Sequence, residues 1–151
     1  MKNQYFNNQE MMMKIRLILV VAVVVVLMTG PVFAQVTIIA NQSVPESIVS
    51  QSELEEIFLG KRVKWSNNSR IDVVLTHESR LHESFLKEYV GRTPSQFEMY
   101  WRKMLFTGQG KLPVTLQTEQ DVIDYIANTP GAVGYISSQP ASSKIKTLTV
   151  R

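Results

Sequence analysis

From residue 36 onward, short apolar runs rich in β-branched residues alternate with helical segments that carry their own start signals. That alternation confines the chain to an α/β layer structure. Residues 36–40 (VTIIA), 71–75 and 132–136 are too short for helices and are bounded by polar or turn residues, so each is expected as a buried strand. Residues 114–116 are expected as a short strand. Residues 145–150 alternate apolar and polar, as an edge strand does. Ser52 and Glu55 have capping-box spacing ahead of the stripe Leu54, Ile57, Phe58, with Gly60 as the stop. A second helix is expected from near Ser79 to Val90, ending at Gly91. Thr93 with Pro94 starts a third, whose one face carries Phe97, Tyr100, Trp101, Met104 and Leu105. Residues 118–128 form a fourth, with Val122, Ile123 and Ile126 inward.

The first 34 residues read differently. Lys14 and Arg16 precede an unbroken apolar run at 17–28, followed by Gly30, Pro31 and then Val32-Phe33-Ala34, with small residues at the −3 and −1 positions of a cleavage site. The run is shorter than the ~20 residues that span a bilayer. Residues 1–34 are therefore expected to be a cleavable signal peptide, with an uncleaved anchor as the alternative, and residues 35–151 a single domain. The expected location is the periplasm or the exterior. The chain has no cysteine, so disulfides, a lipid-modified cysteine, thiolate metal sites and thiol catalysis are all excluded. The formal charge of +3 belongs largely to the leader. Residues 35–151 hold thirteen cations against twelve acids, so the basic pI of about 9.2 is no nucleic-acid footprint.

Three segments, in order, carry a resemblance. Leu54-Glu55-Glu56-Ile57-Phe58-Leu59-Gly60-Lys61 followed by Trp65 is similar to the "IF-x-G-K … W" segment of phosphate-binding subunits of ABC importers. Ile71-Asp72-Val73-Val74 is similar to the strand that leads to their phosphate loop, and residues 130–136 (PGAVGYI) to their "PGAIGYV" segment. The chain thus resembles the phosphate ABC transporter substrate-binding family in a short form. The resemblance implies one lobe of a type II periplasmic-binding-protein-like fold, a mixed sheet flanked by helices. It also implies a small oxyanion such as phosphate as ligand and an ABC permease as partner. The full family is two-lobed, so half a cleft would need a homodimer, a partner protein or a shallow site. The phosphate loop itself differs: residues 75–85 read LTHESRLHESF, without the family's Ser-Gly-Thr pattern. An envelope interaction protein that has lost its ligand is the alternative function.

The expected ligand site is the start of the helix near Ser79, where free amides and the helix dipole favour an anion. Ser79 offers a hydroxyl, Arg80 a guanidinium fork and His82 a titratable donor. Thr76 and His77 end the preceding strand, and Asn41 ends the first. These are the positions where open α/β sheets hold ligands. The competing reading is a plain helix cap with solvated charges. Lys61, Arg62 and Lys64 are either a solvated face or an attachment point for an anionic surface or transporter. The aromatic set Phe97, Tyr100, Trp101 and Phe106 is expected in the core. His77 and His82, five apart, have no metal-ligand spacing, and no nucleophile elbow or nucleotide loop is present. No metal, cofactor or enzymatic activity is expected.

Overall fold

The computed structural model describes residues 11–14, 16–17, 35–140 and 142–151. Two compact units divide the chain, Met1–Phe33 and Ala34–Arg151. In the first, residues 11–14 and 16–17 are helical. Beyond Leu17, the apolar run and cleavage signature that carry the export expectation lie outside the described residues. No described helix is long and apolar enough to cross a membrane.

The second unit runs β1 (Thr37–Asn41), β2 (Ile48–Val49), α1 (Gln51–Phe58), β3 (Asp72–Thr76), α2 (Ser79–Phe85), a π-helical segment (Leu86–Val90), α3 (Pro94–Phe106), β4 (Val114–Leu116), α4 (Glu119–Asn128), β5 (Ala132–Ile136), β6 (Ile145–Thr147) and β7 (Thr149–Val150). Five strands form a mixed sheet in the order β4-β3-β5-β1-β6, and β2 and β7 form a separate parallel pair. β3 is parallel to both β4 and β5, whereas β1 is antiparallel to β5 and β6.

Both faces of the sheet are covered, which is why its central strands read as continuous apolar runs rather than alternating ones. On one face Ile38, Val133 and Tyr135 pack with Leu54, Ile57 and Phe58 of α1, Phe85 of α2, and Phe97 and Trp101 of α3. On the other, Ile39, Val74 and Ile136 pack with Val122 and Ile126 of α4, and Ile123 lies partly buried against them. Among the described residues, both core layers are built from residues 36–150.

Three local features differ from expectation. The capping box of α1 is Ser50 with Glu53, two residues before the expected pair. The Ser50 amide donates to Glu53 Oε2 (2.8 Å) and the Glu53 amide to Ser50 Oγ (3.2 Å). The Ser50 amide and then the Ser50 hydroxyl, both donating to Glu53 Oε2, hold that carboxyl below its ordinary range. The expected single edge strand at 145–150 breaks at Leu148. That side chain is buried while its amide donates to Ile38 O (2.9 Å), so β6 stays in the main sheet and β7 turns away to pair with β2.

The helix opening at Ser79 also changes winding at Leu86. An α-helix advances about 100° per residue, which would set Val90 on the side opposite Leu81. The π-helical segment is wider, with the Gly91 amide donating to Leu86 O. It brings Leu81, Phe85, Leu86 and Val90 into one buried set.

Candidate functional site

At the carboxyl end of β3 the chain must leave the sheet and enter α2, and a cavity of about 530 Å³ opens there. β3 contributes Leu75 and Thr76, with His77 just beyond; α2 contributes Ser79, His82 and Glu83. α3 contributes Phe97, Glu98 and Trp101, and the run into β4 contributes Leu112, Pro113 and Thr115. The volume falls in the range of small-molecule sites, and the mix of apolar floor and few polar groups is typical of them.

Four of the six expected residues meet here: Thr76, His77, Ser79 and His82. Thr76 is buried, and its hydroxyl accepts from the Glu78 amide (3.2 Å), which sets the turn into α2. Ser79 and His77 are exposed. Of the four α-helices described in the second unit, α2 is the one whose N-cap residue, Glu78, makes no side-chain cap bond. The other three carry full capping boxes, at Ser50, Thr93 and Thr118. The first amides of α2 thus lack both an intrahelical and a side-chain acceptor.

His82 is the best-anchored polar group in the cavity. Its Nδ1 shares a 2.5 Å hydrogen bond with the hydroxyl of Tyr135, which is fully buried. Its ring packs edge-on to Phe97 at 5.8 Å. Burial pushes the Tyr135 hydroxyl far above its ordinary range, so it stays protonated. Burial, then the charge of His77, holds the His82 imidazole below its ordinary value. A neutral His82 that accepts at Nδ1 carries its proton on Nε2, which makes Nε2 a donor.

This has a consequence for stability. The unfolded chain binds a proton on His82 at a higher pH than the folded chain does. The contribution is therefore complete above the unfolded value of 6.5 and is lost as pH falls from there through the lower folded value. Urea midpoints measured across that window should fall as the pH is lowered, and His82→Gln should flatten the decline. An unchanged slope in the variant would show that other groups carry it.

The other two expected residues do not join the cavity. Arg80 is exposed on α2 and is not part of the wall. Asn41 lies at the opposite end of the sheet. β1 is antiparallel to β5 while β3 is parallel to it, so the end of β1 meets the beginning of β3. Asn41 is buried and committed to the fold: Nδ2 donates to Ile126 O (2.7 Å) and Ala127 O (3.3 Å), closing the end of α4, and Oδ1 accepts from the Ser43 amide (2.9 Å).

Glu83, Glu98, Leu112, Pro113 and Thr115 are wall residues that the sequence reading passed over. Phe97 and Trp101, expected in the core, are both core and cavity wall. Phe106, also expected in the core, is 94% exposed, whereas Met104, two residues earlier, still packs against the core. Among the described residues no group of His, Cys, Asp or Glu could hold a metal ion.

No family model matches the chain, and no curated protein matches it significantly. Solved structures do match in fold. An ABC-type phosphate transport receptor from Vibrio cholerae superposes with a TM-score of 0.52 at 16% identity, over 77% of this chain and 46% of that one. PstS from Borrelia burgdorferi superposes at 0.60 and 15% identity, over 78% and 47%. A phosphate-binding protein from Stenotrophomonas maltophilia superposes at 0.56 and 21% identity, over 78% and 39%. The chain therefore has the fold of a single lobe of a periplasmic binding protein and spans less than half the length of these neighbours.

Proposed function

We propose that residues 35–151 are an exported, single-lobe solute-binding module that takes phosphate or a similarly small oxyanion at the carboxyl end of β3, in connection with an ABC-type permease. The observation that carries the reading is the likeness in fold to solved proteins described as phosphate receptors and phosphate-binding proteins. The local chemistry supports it. The uncapped start of α2 offers free amides at the positive end of the helix, beside the Ser79 hydroxyl. No Lys or Arg lines the cavity and two carboxylates do, so recognition rests on amides, hydroxyls and the His82 donor rather than on paired charge.

Calorimetric titration of residues 35–151 with phosphate should give saturable heat, with sulfate competing. Ser79→Glu places a fixed negative charge at the helix start, where the fold tolerates it. It should weaken binding at least tenfold, since each 1.4 kcal/mol of repulsion is about a factor of ten. Arg80→Glu, outside the wall, should have the smaller effect. Absence of any heat from a folded protein would overturn the reading. Equal loss in both variants would move the site out of the cavity and onto the outer surface of α2.

A further inference from the structure

Two stretches of the domain, residues 57–71 and 99–118, contain no acidic residue. Together they hold seven of the thirteen cations of residues 35–151 and none of its twelve acids. They also hold five of the six large apolar side chains which that domain leaves exposed: Val63, Met99, Leu105, Phe106 and Leu112, with Ile48 the sixth. Single exposed apolar residues are ordinary on any protein. Five of them among cations, with no acid in either stretch, are not.

The fold brings the two stretches to one mouth. A cavity of about 350 Å³, which adjoins the one at the end of β3 and shares Trp101, Leu112 and Pro113 with it, is walled by Val63, Lys64 and Arg70 from the first stretch and by Trp101, Lys111 and Leu112 from the second. Arg62 is held by Glu46 (3.1 Å) and Glu53 (2.7 Å), and Arg102 by Glu98 (2.6 Å). Lys64, Arg70, Lys103 and Lys111 make no ion pair among the described residues. The one acid in this wall, Asp72, accepts the Tyr125 hydroxyl (2.8 Å).

We propose that this face docks on an anionic lipid bilayer, with Val63 and Leu112 entering the headgroup region and Lys64, Arg70 and Lys111 meeting lipid phosphates. Charge complementarity and the interleaved apolar tips select that partner. These three cations have no protein partner fixing their geometry, which suits a fluid sheet of negative charge better than a discrete anion needing a preorganised fork. Apolar side chains flanked by Lys and Arg are what an interfacial membrane contact requires. The proposal does not rest on the oxyanion reading, and the residues varied below lie outside the cavity at β3.

The test is co-sedimentation of residues 35–151, which form a compact unit with its own core, with vesicles of phosphatidylglycerol or of phosphatidylcholine. Omitting residues 1–34 removes an apolar run that would bind either kind. Binding should be confined to phosphatidylglycerol and fall steeply with salt. Removing one cation near such a surface weakens binding about fivefold. Lys64→Glu with Lys111→Glu should therefore weaken it at least twenty-five-fold by the same arithmetic. Val63→Ser should weaken it severalfold while leaving the salt dependence in place. All three positions are exposed; circular dichroism checks folding, and the single neutral changes Lys64→Ser and Lys111→Ser serve if the double variant does not fold. No binding to phosphatidylglycerol overturns the proposal, and so does equal binding to phosphatidylcholine. It is likewise overturned if light scattering shows a dimer that Val63→Ser dissolves without changing vesicle binding, because the face would then belong to a second copy of the chain.

Discussion

Replacing Gly131 with alanine should destabilise the domain by about 3–5 kcal/mol, a large share of the whole stability of a domain this size. Gly131 has φ +79°, in the left-handed region, and a Cβ built there would fall well inside contact distance of the Arg70 carbonyl oxygen, a backbone atom that cannot swing aside. The position is also a junction. The Gly131 carbonyl accepts from Trp65 Nε1 (2.9 Å) and from the Asp72 amide (3.2 Å), and its amide donates to Ser43 Oγ (3.1 Å). The left-handed conformation alone costs about 1–3 kcal/mol for a residue with a Cβ. Moving the chain to relieve the clash strains these three hydrogen bonds, each worth about 0.5–1.5 kcal/mol. Gly108 is the control. Its φ is +66° with nothing within 4 Å of a built Cβ, so Gly108→Ala should cost only the backbone share. Urea unfolding followed by circular dichroism separates the two. Equal effects would mean that the contact with Arg70 relaxes at little cost.

Phe85→Ala should cost about 3–5 kcal/mol as well, by leaving a cavity in a fully buried part of the core. The Phe85 ring stacks on Tyr135 at 3.9 Å and 5°, and lies 4.5 Å from Phe58. One side chain thus joins α2 to α1 and to the middle of the sheet, and all three rings are fully buried. The melting temperature should fall by roughly 10–20 °C, from the usual few degrees per kcal/mol in domains of this length. Phe85→Leu keeps most of the volume and should cost clearly less. The change should also reach the candidate site, because Tyr135 is the partner that anchors His82. A phosphate titration of the still-folded Phe85→Leu protein reads that second effect. A melting temperature unchanged in Phe85→Ala would show that the core collapses to fill the space.

The sequence made the architecture legible because its signals are local. β-branched runs mark β1, β3 and β5, and the Thr93-Pro94 start and the Thr118 start mark α3 and α4 at the right residues. What it hid depends on distant partners. Ser50–Glu53 and Ser52–Glu55 have identical cap spacing. The choice between them follows from β2, which ends at Val49 and is held by β7, a hundred residues away. Alternation across 145–150 says strand but not which sheet, and Leu148 divides it between two. Asn41 and Thr76 both end strands, but strand ends share one side of a sheet only where the strands run parallel. Strand direction is not written in VTIIA, and the antiparallel pairing puts the two at opposite ends. Of the candidate site, Thr76, His77, Ser79 and His82 were readable from a strand end followed by a helix start. The walls from α3 and the run into β4 were not, because they close over it only through packing.

The position of β1 also sets a timetable. The first strand of the domain lies between β5 and β6, with Thr37 opposite Ile136 and Ile39 opposite Thr147. A chain delivered amino end first, from a ribosome or through a translocation channel, can wind its helices as they emerge. The main sheet, however, cannot close until residues 145–147 have arrived. Pairings this remote in sequence are slow to form and cannot be nucleated early. Commitment to the native state therefore comes late, and for most of its delivery the polypeptide remains in a form that can still be threaded through a narrow passage.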